Sequence, residues 1–283
     1  MKRNLYNIMK NKFITKFIAS NNYILVLLIL SPLLIYIAFG TTFYAVHNNT
    51  SKHFGLPKDD SYDFYQYNGT PISKGKLREI TNPNSLERNI SDKSQYLFRE
   101  ALFDSLGTAS EMSFLIGSAI AALIWGYMIE EGSIVYQIFN KKSRENAFVE
   151  IFSYPLSFVF FISIISSFAI TQEIIRIYPA KSIFCIFSIS VIILSGAMFF
   201  GYIISGIISL ISKNTFIPIF VSLLIIGSGL IYPEKKALII PFEYILLKMK
   251  FGLPIEYISL IGIGIMGLCI VGFYVLFKRG SYY

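Results

Sequence analysis

The sequence predicts an all-α integral membrane fold with about six transmembrane helices, an N-terminal amphipathic helix and a small ectodomain after the first span. Three observations predict it. The 283 residues are 54% hydrophobic, with a mean hydropathy of +0.58, above the roughly 45–50% apolar usage of soluble domains. Uncharged stretches of about 20 residues, enough to cross ~30 Å of hydrocarbon, recur along the chain. One long polar segment near the N-terminus, residues 47–111, carries eight basic and nine acidic side chains between apolar spans.

Residues 1–22 carry Lys2, Arg3, Lys10, Lys12 and Lys16 and no acid, with Leu5, Met9, Phe13 and Phe17 at every fourth position. This pattern suits either an interfacial amphipathic helix or a basic flank that orients the next span. Both put the N-terminus in the cytoplasm. The first span, residues 23–46, exceeds the roughly 7–15 apolar residues of a cleaved signal peptide and is expected to be retained. Residues 47–111 then form an extracytoplasmic domain. It holds all four Asn-x-Ser/Thr sequons, at Asn48, Asn49, Asn68 and Asn89, and a run of Tyr62, Phe64, Tyr65 and Tyr67 suited to a small core. Residues 94–110, with Leu97, Phe98, Ala101, Leu102 and Leu106 on one face, read as a helix leading into the second span.

Five further spans are expected in residues 112–283, at about 112–129, 151–172, 182–212, 215–232 and 257–277. The fourth lies in 31 uncharged residues between Lys181 and Lys213, more than one crossing requires. Ala197, Gly201, Ser205 and Ser209 place a small residue at every fourth position, and Ser113, Gly117 and Ala121 do the same on the second span. Such stripes let helix backbones approach closely in lipid. Residues 130–150 are a cytoplasmic segment. Residues 233–254, apolar but broken by Lys and Glu, read as an outer re-entrant or interfacial element.

The composition excludes several functions. The net charge of +8 is scattered between apolar spans and forms no stripe that tracks phosphates, so nucleic acid is not an expected partner. Cys185 and Cys269 both lie in apolar spans, leaving no disulfide framework. No GxxxxGK[ST] loop is present. His47 and His53, the only histidines, sit beyond the outer edge of the first span, so no imidazole at depth supports a protease or a metal centre. Ionisable residues are missing from mid-span, with Glu130, Glu131, Glu173, Arg176 and Glu256 near ends. The chain is therefore expected to hold no catalytic constellation, cofactor or metal, and to draw any energy from another polypeptide.

The sequence Glu130-Glu131-Gly132-Ser133-Ile134-Val135-Tyr136-Gln137-Ile138-Phe139-Asn140-Lys141-Lys142-Ser143-Arg144 resembles the loop after the second helix in permease subunits of type-2 ABC exporters. In that family an acidic pair and Gly-Ser or Gly-Thr start a short helix that docks on the ATPase. A Ser-Arg then leads into the third span. The layout of an amphipathic helix, six spans, cytoplasmic termini and an outer re-entrant element is similar too. The sequence departs from the family at Asn140-Lys141-Lys142, where a proline often precedes Ser-Arg, and at Glu150, where a basic residue is usual.

The resemblance implies a multi-pass cell-membrane permease that forms the substrate path as a homodimer or with a homologous permease. A separate cytoplasmic ABC ATPase subunit would bind the ATP. It marks Glu130, Glu131, Gly132, Ser133, Ser143 and Arg144 as partner-coupling residues. The alternatives are a non-transporting immunity or assembly factor that binds a partner through its ectodomain, and a self-contained channel or carrier. Apolar and aromatic spans lacking buried charge favour an amphiphilic or hydrophobic cargo over a small ion.

The topology is testable with single cysteines at Lys141 and Asn68, introduced after removing Cys185 and Cys269. An impermeant maleimide applied to intact cells should label position 68 and spare position 141; the reverse pattern would invert the topology.

Overall fold

The computed structural model describes residues 22–54, 83–140, 143–177, 183–231 and 256–280. All regular structure among them is helical. Helix α1 spans Asn22–Phe54 and α2 spans Pro83–Ala121. A π-helical turn, Ala122–Gly126, joins α2 to the short α3, Tyr127–Glu130. Then come α4 (Ser133–Asn140), α5 (Arg144–Ile177), α6 (Ile183–Ser212), α7 (Phe216–Ile231) and α8 (Glu256–Arg279). The expected amphipathic helix before residue 22, residues 55–82 of the expected ectodomain and the 233–254 element lie outside the described residues.

Among the described residues, four helical stretches are long and apolar enough to cross a membrane: Ile24–Val46, Ala101–Glu130, Arg144–Ile177 and Ile183–Ser212. Over its described residues the protein is thus an all-α membrane protein. The helix expected over 94–110 is part of α2, which begins at Pro83 and continues without interruption into the span. Apolar packing opens by Phe98, ahead of Met112, because Phe98, Ala101, Leu102, Leu106 and Ala109 already bury against the bundle. Helix α1 likewise continues past Val46 to Phe54.

Helix α2 is the centre of the bundle, with 67% of its apolar stretch buried against 28–39% for the other three. Helices α1 and α6 pack on it, and α5 packs on α1 and α6. The division of α1 shows how. Ile24, Ile35, Phe39 and Phe43 are buried, with the Phe39 and Phe43 rings stacked at 5.2 Å. Leu25, Ile29, Leu33 and Ile37 are exposed at helical spacing, as a lipid-facing stripe should be, since acyl chains solvate leucine as well as a protein core does.

The two small-residue stripes meet at the contact between α2 and α6. A Cβ on Gly117 would lie 1.9 Å from the Met198 carbonyl oxygen, and one on Gly201 would lie 2.2 Å from that of Phe114. Ser113, Ala121, Ala197, Ser205 and Ser209 are also buried. The hydroxyl of Ser118 donates across the contact to the Gly201 carbonyl at 3.3 Å. Ser205 and Ser222 are hydrogen-bonded at 3.1 Å, joining α6 to α7. Elsewhere Ser113, Ser163 and Ser166 donate to the carbonyl one turn earlier on their own helices, which satisfies a hydroxyl where no water is present.

Overpacking this contact should be costly. Gly117→Ala is expected to destabilise the protein by about 1–3 kcal/mol. Gly107→Ala, on the same helix with nothing within 4 Å of its would-be Cβ, should leave stability unchanged or slightly raised. Thermal unfolding of both variants in one detergent checks the contrast.

Candidate functional site

The candidate site is the turn between α3 and α5 that carries α4. Helix α3 ends in a left-handed residue, Gly132, at φ +69°, a conformation that disfavours any side chain. The Gly132 N–H donates to the Ile129 carbonyl at 3.1 Å and that of Glu131 to Tyr127 at 2.9 Å. Ser133 supplies the next donor through its side chain, with its hydroxyl 3.3 Å from the Met128 carbonyl. Together these close the helix end as a Schellman-type cap, and the Gly-Ser pair serves the turn itself.

The chain then enters α4, an eight-residue helix with two faces. Ile134 is fully buried and Val135 and Ile138 are half-buried against the core. On the other side Tyr136 and Phe139 are 61% and 69% exposed. Ser143 opens α5 by accepting the Asn146 N–H at 3.1 Å, the N-capping role for which serine is favoured.

The two charged ends of this segment, expected to face a partner, are engaged by the chain itself. Both carboxylate oxygens of Glu130 are held by Thr215, one by its backbone N–H at 2.8 Å and the other by its hydroxyl at 2.9 Å. Arg144 reaches the end of α8, where its Nη1 donates to the carbonyls of Lys278 and of Gly280, the latter at 3.1 Å. An arginine at a helix C-terminus satisfies open carbonyls and complements the dipole there, a use of charge that leaves no trace in linear sequence. Beside it Glu145 accepts from Lys278 Nζ and Tyr274 Oη, each at 3.0 Å. The Glu145 hydrogen bond is the main cause of an upward shift in the Lys278 pKa. Only Glu131, exposed at the tip and hydrogen-bonded to the Tyr127 hydroxyl, keeps a place on the outer rim.

Above the turn lies an aromatic cluster that periodicity alone did not single out. Trp125, in the π-helical turn, is fully buried and donates from Nε1 to the Tyr202 hydroxyl at 2.8 Å. That hydroxyl donates onward to the Ile151 carbonyl at 3.3 Å. The Trp125 ring meets Phe273 edge-on at 4.8 Å and Phe277 at 5.7 Å, with Phe148 at 6.0 Å. Helices α5, α6 and α8 are thereby fastened to the π-helical turn, the segment that leads into α4.

A second polar contact lies at the far end of the bundle. Glu173, 9% exposed, accepts from the hydroxyls of Tyr36, at 3.1 Å, and Tyr44, both on α1. The sequence placed Glu173 at a span end, as the structure does, but gave no sign that it is buried and bonded. A carboxylate withdrawn from water needs such donors. Among the described residues no three His, Cys, Asp or Glu side chains converge as metal ligands.

Because Trp125 is the only tryptophan, its fluorescence reports this cluster without ambiguity. Tyr202→Phe removes the acceptor of the buried indole N–H and should lower stability by about 1–3 kcal/mol, with a blue shift of the emission. An unchanged spectrum and midpoint would show that the hydrogen bond contributes nothing.

Compared with known proteins, the chain matches no family model, no curated relative and no solved structure.

Proposed function

We propose that the protein is the permease subunit of an ABC exporter, crossing the cell membrane six times with both termini in the cytoplasm. It would form the substrate path with a second copy or a homologous permease and take its energy from a separate cytoplasmic ATPase that binds the ATP. The observation that carries this reading is α4. Tyr136 and Phe139 are exposed on a short helix beside Glu130, Glu131, Arg144 and Glu145, in a zone too charged to lie in hydrocarbon. Large aromatic side chains held out from a polar turn are suited to a hydrophobic groove on a soluble partner.

The geometry changes which residues of the segment this reading relies on. Contact with the ATPase falls to Tyr136, Phe139 and Glu131. Gly132, Ser133 and Ser143 shape the helix ends, while Glu130 and Arg144 fasten the segment to the bundle. A knob that receives force from a partner has to be mounted rigidly, and these two charges supply the mounting. The four long apolar helices, together with α7 and α8, are compatible with six crossings, and residues 47–100 fall on the outer side in that topology.

The test is recovery of an ABC ATPase with the full-length protein from its native membrane, followed by binding to the isolated pair of subunits. Tyr136→Ser with Phe139→Ser should weaken ATPase binding by at least about tenfold, the scale of losing an aromatic hot spot, at unchanged thermal stability. Recovery of no ATPase, or binding that is indifferent to both substitutions, would overturn the proposal in favour of a partner-binding protein acting through its ectodomain or a self-contained channel or carrier.

A further inference from the structure

Glu130 stands where the chain leading into α4 meets the start of α7. It is the last residue of α3, two residues before the left-handed Gly132 and three before α4 begins. Its carboxylate holds the backbone N–H and the hydroxyl of Thr215, the residue immediately before α7. Thr215 is only 5% exposed. The negative charge therefore sits at the positive end of the α7 dipole, where it is favourable.

The surrounding backbone is shaped to bring these groups together. A Cβ on Gly126 would lie 2.7 Å from the Thr215 Cα and 3.2 Å from the Asn214 carbonyl oxygen. Gly126 ends the π-helical turn, whose extra residue per turn rotates the following helix relative to α2. On the opposite side, Lys213 takes a left-handed conformation, φ 51°, to end α6. Asn214 then caps α7, its Oδ1 accepting from the N–H groups of Phe216 at 2.7 Å and Ile217 at 3.1 Å. The α6–α7 turn is thus seated directly on the stalk of α4.

We infer that Glu130 is a positioning residue that couples displacement of α4 to the inner end of α7 through its paired hydrogen bonds to Thr215. The inference rests on the proposed function for its purpose but not for its geometry. Glutamine at position 130 can preserve both contacts, its carbonyl accepting the Thr215 N–H and its amide donating to the hydroxyl. Alanine can preserve neither. The coupling depends on hydrogen bonding, whereas a charge that docked directly on a partner would be lost in both substitutions.

The experiment is hydrogen exchange at the amides of Thr215, Phe216 and Ile217 in the full-length protein, using Ile134→Ala to loosen the buried anchor of α4. In the wild type and in Glu130→Gln, Ile134→Ala should speed exchange at these amides by about tenfold, the scale of one weakened hydrogen bond. Glu130→Ala alone should speed it at least as much, and adding Ile134→Ala should then produce no further change, the non-additivity expected of a linked pair. Additive effects in the double variant, or a Glu130→Gln protein behaving like Glu130→Ala, would overturn the inference. In parallel, binding of the ATPase subunit to Glu130→Ala should match wild type. Loss of binding would return Glu130 to the docking surface and overturn its internal role. Recovery of no ATPase at all would sink the proposed function, while the exchange cycle would still decide the coupling.

Discussion

The bundle depends on the near-contact of two backbones. Lipid removes the hydrophobic drive that assembles soluble helices, so helices associate where their surfaces fit and where polar groups can be paired. Gly117 against the Met198 carbonyl and Gly201 against the Phe114 carbonyl bring α2 and α6 as close as main chains can come. No side chain can intervene at either point, so both the crossing and its register are fixed. The Ser118 hydrogen bond to Gly201 lies within the same contact. Helices α1 and α5 then pack around this pair, leaving their apolar outer stripes for lipid.

The fixed register leaves a geometric problem where α2 runs on into α3. A straight continuation of α2 would keep the same faces toward α6, whereas the end of the helix must also meet α5, α7 and α8. The π-helical turn at Ala122–Gly126 resolves this by inserting one extra residue, which swings successive side chains onto new bearings. Trp125 then enters the aromatic cluster with Phe148, Phe273 and Phe277, and Gly126 opens toward Thr215. Glu130, one turn further on, reaches the start of α7. A local irregularity thus lets one helix end serve several neighbours.

How much of this was legible in the sequence follows from which groups a one-letter string displays. Apolar runs and small residues at fourfold spacing are side-chain patterns, so the long helices and the stripes through Gly117 and Gly201 could be read directly. The start of a short helix at Gly132-Ser133 was marked by the family resemblance alone. Open N–H and C=O groups at helix ends are not written in the sequence. Glu130 and Arg144 each pair with such groups, at Thr215 and at Lys278 and Gly280, and so read as charges awaiting a partner. Trp125 was passed over because a π-helical turn has no residue signature and breaks the 3.6 period by which a packed face is recognised. The burial of Glu173 escaped notice because its donors, Tyr36 and Tyr44, lie more than a hundred residues away on another helix.

Fastening the charges inward also has a mechanical consequence for the proposed exporter. A partner can shift a conformational equilibrium only by its difference in affinity for the two states. That difference reaches the membrane helices only if the contacted element moves together with them. An α4 tethered by flexible loops would follow the ATPase and leave the bundle where it was. Here Ile134 is buried in the core, Glu130 ties the start of the segment to α7, and Arg144 ties its end to α8. Displacing Tyr136 and Phe139 therefore strains contacts to two other helices at once. In the proposed exporter, charges fastened inward in this way would let a partner's affinity do work on the bundle.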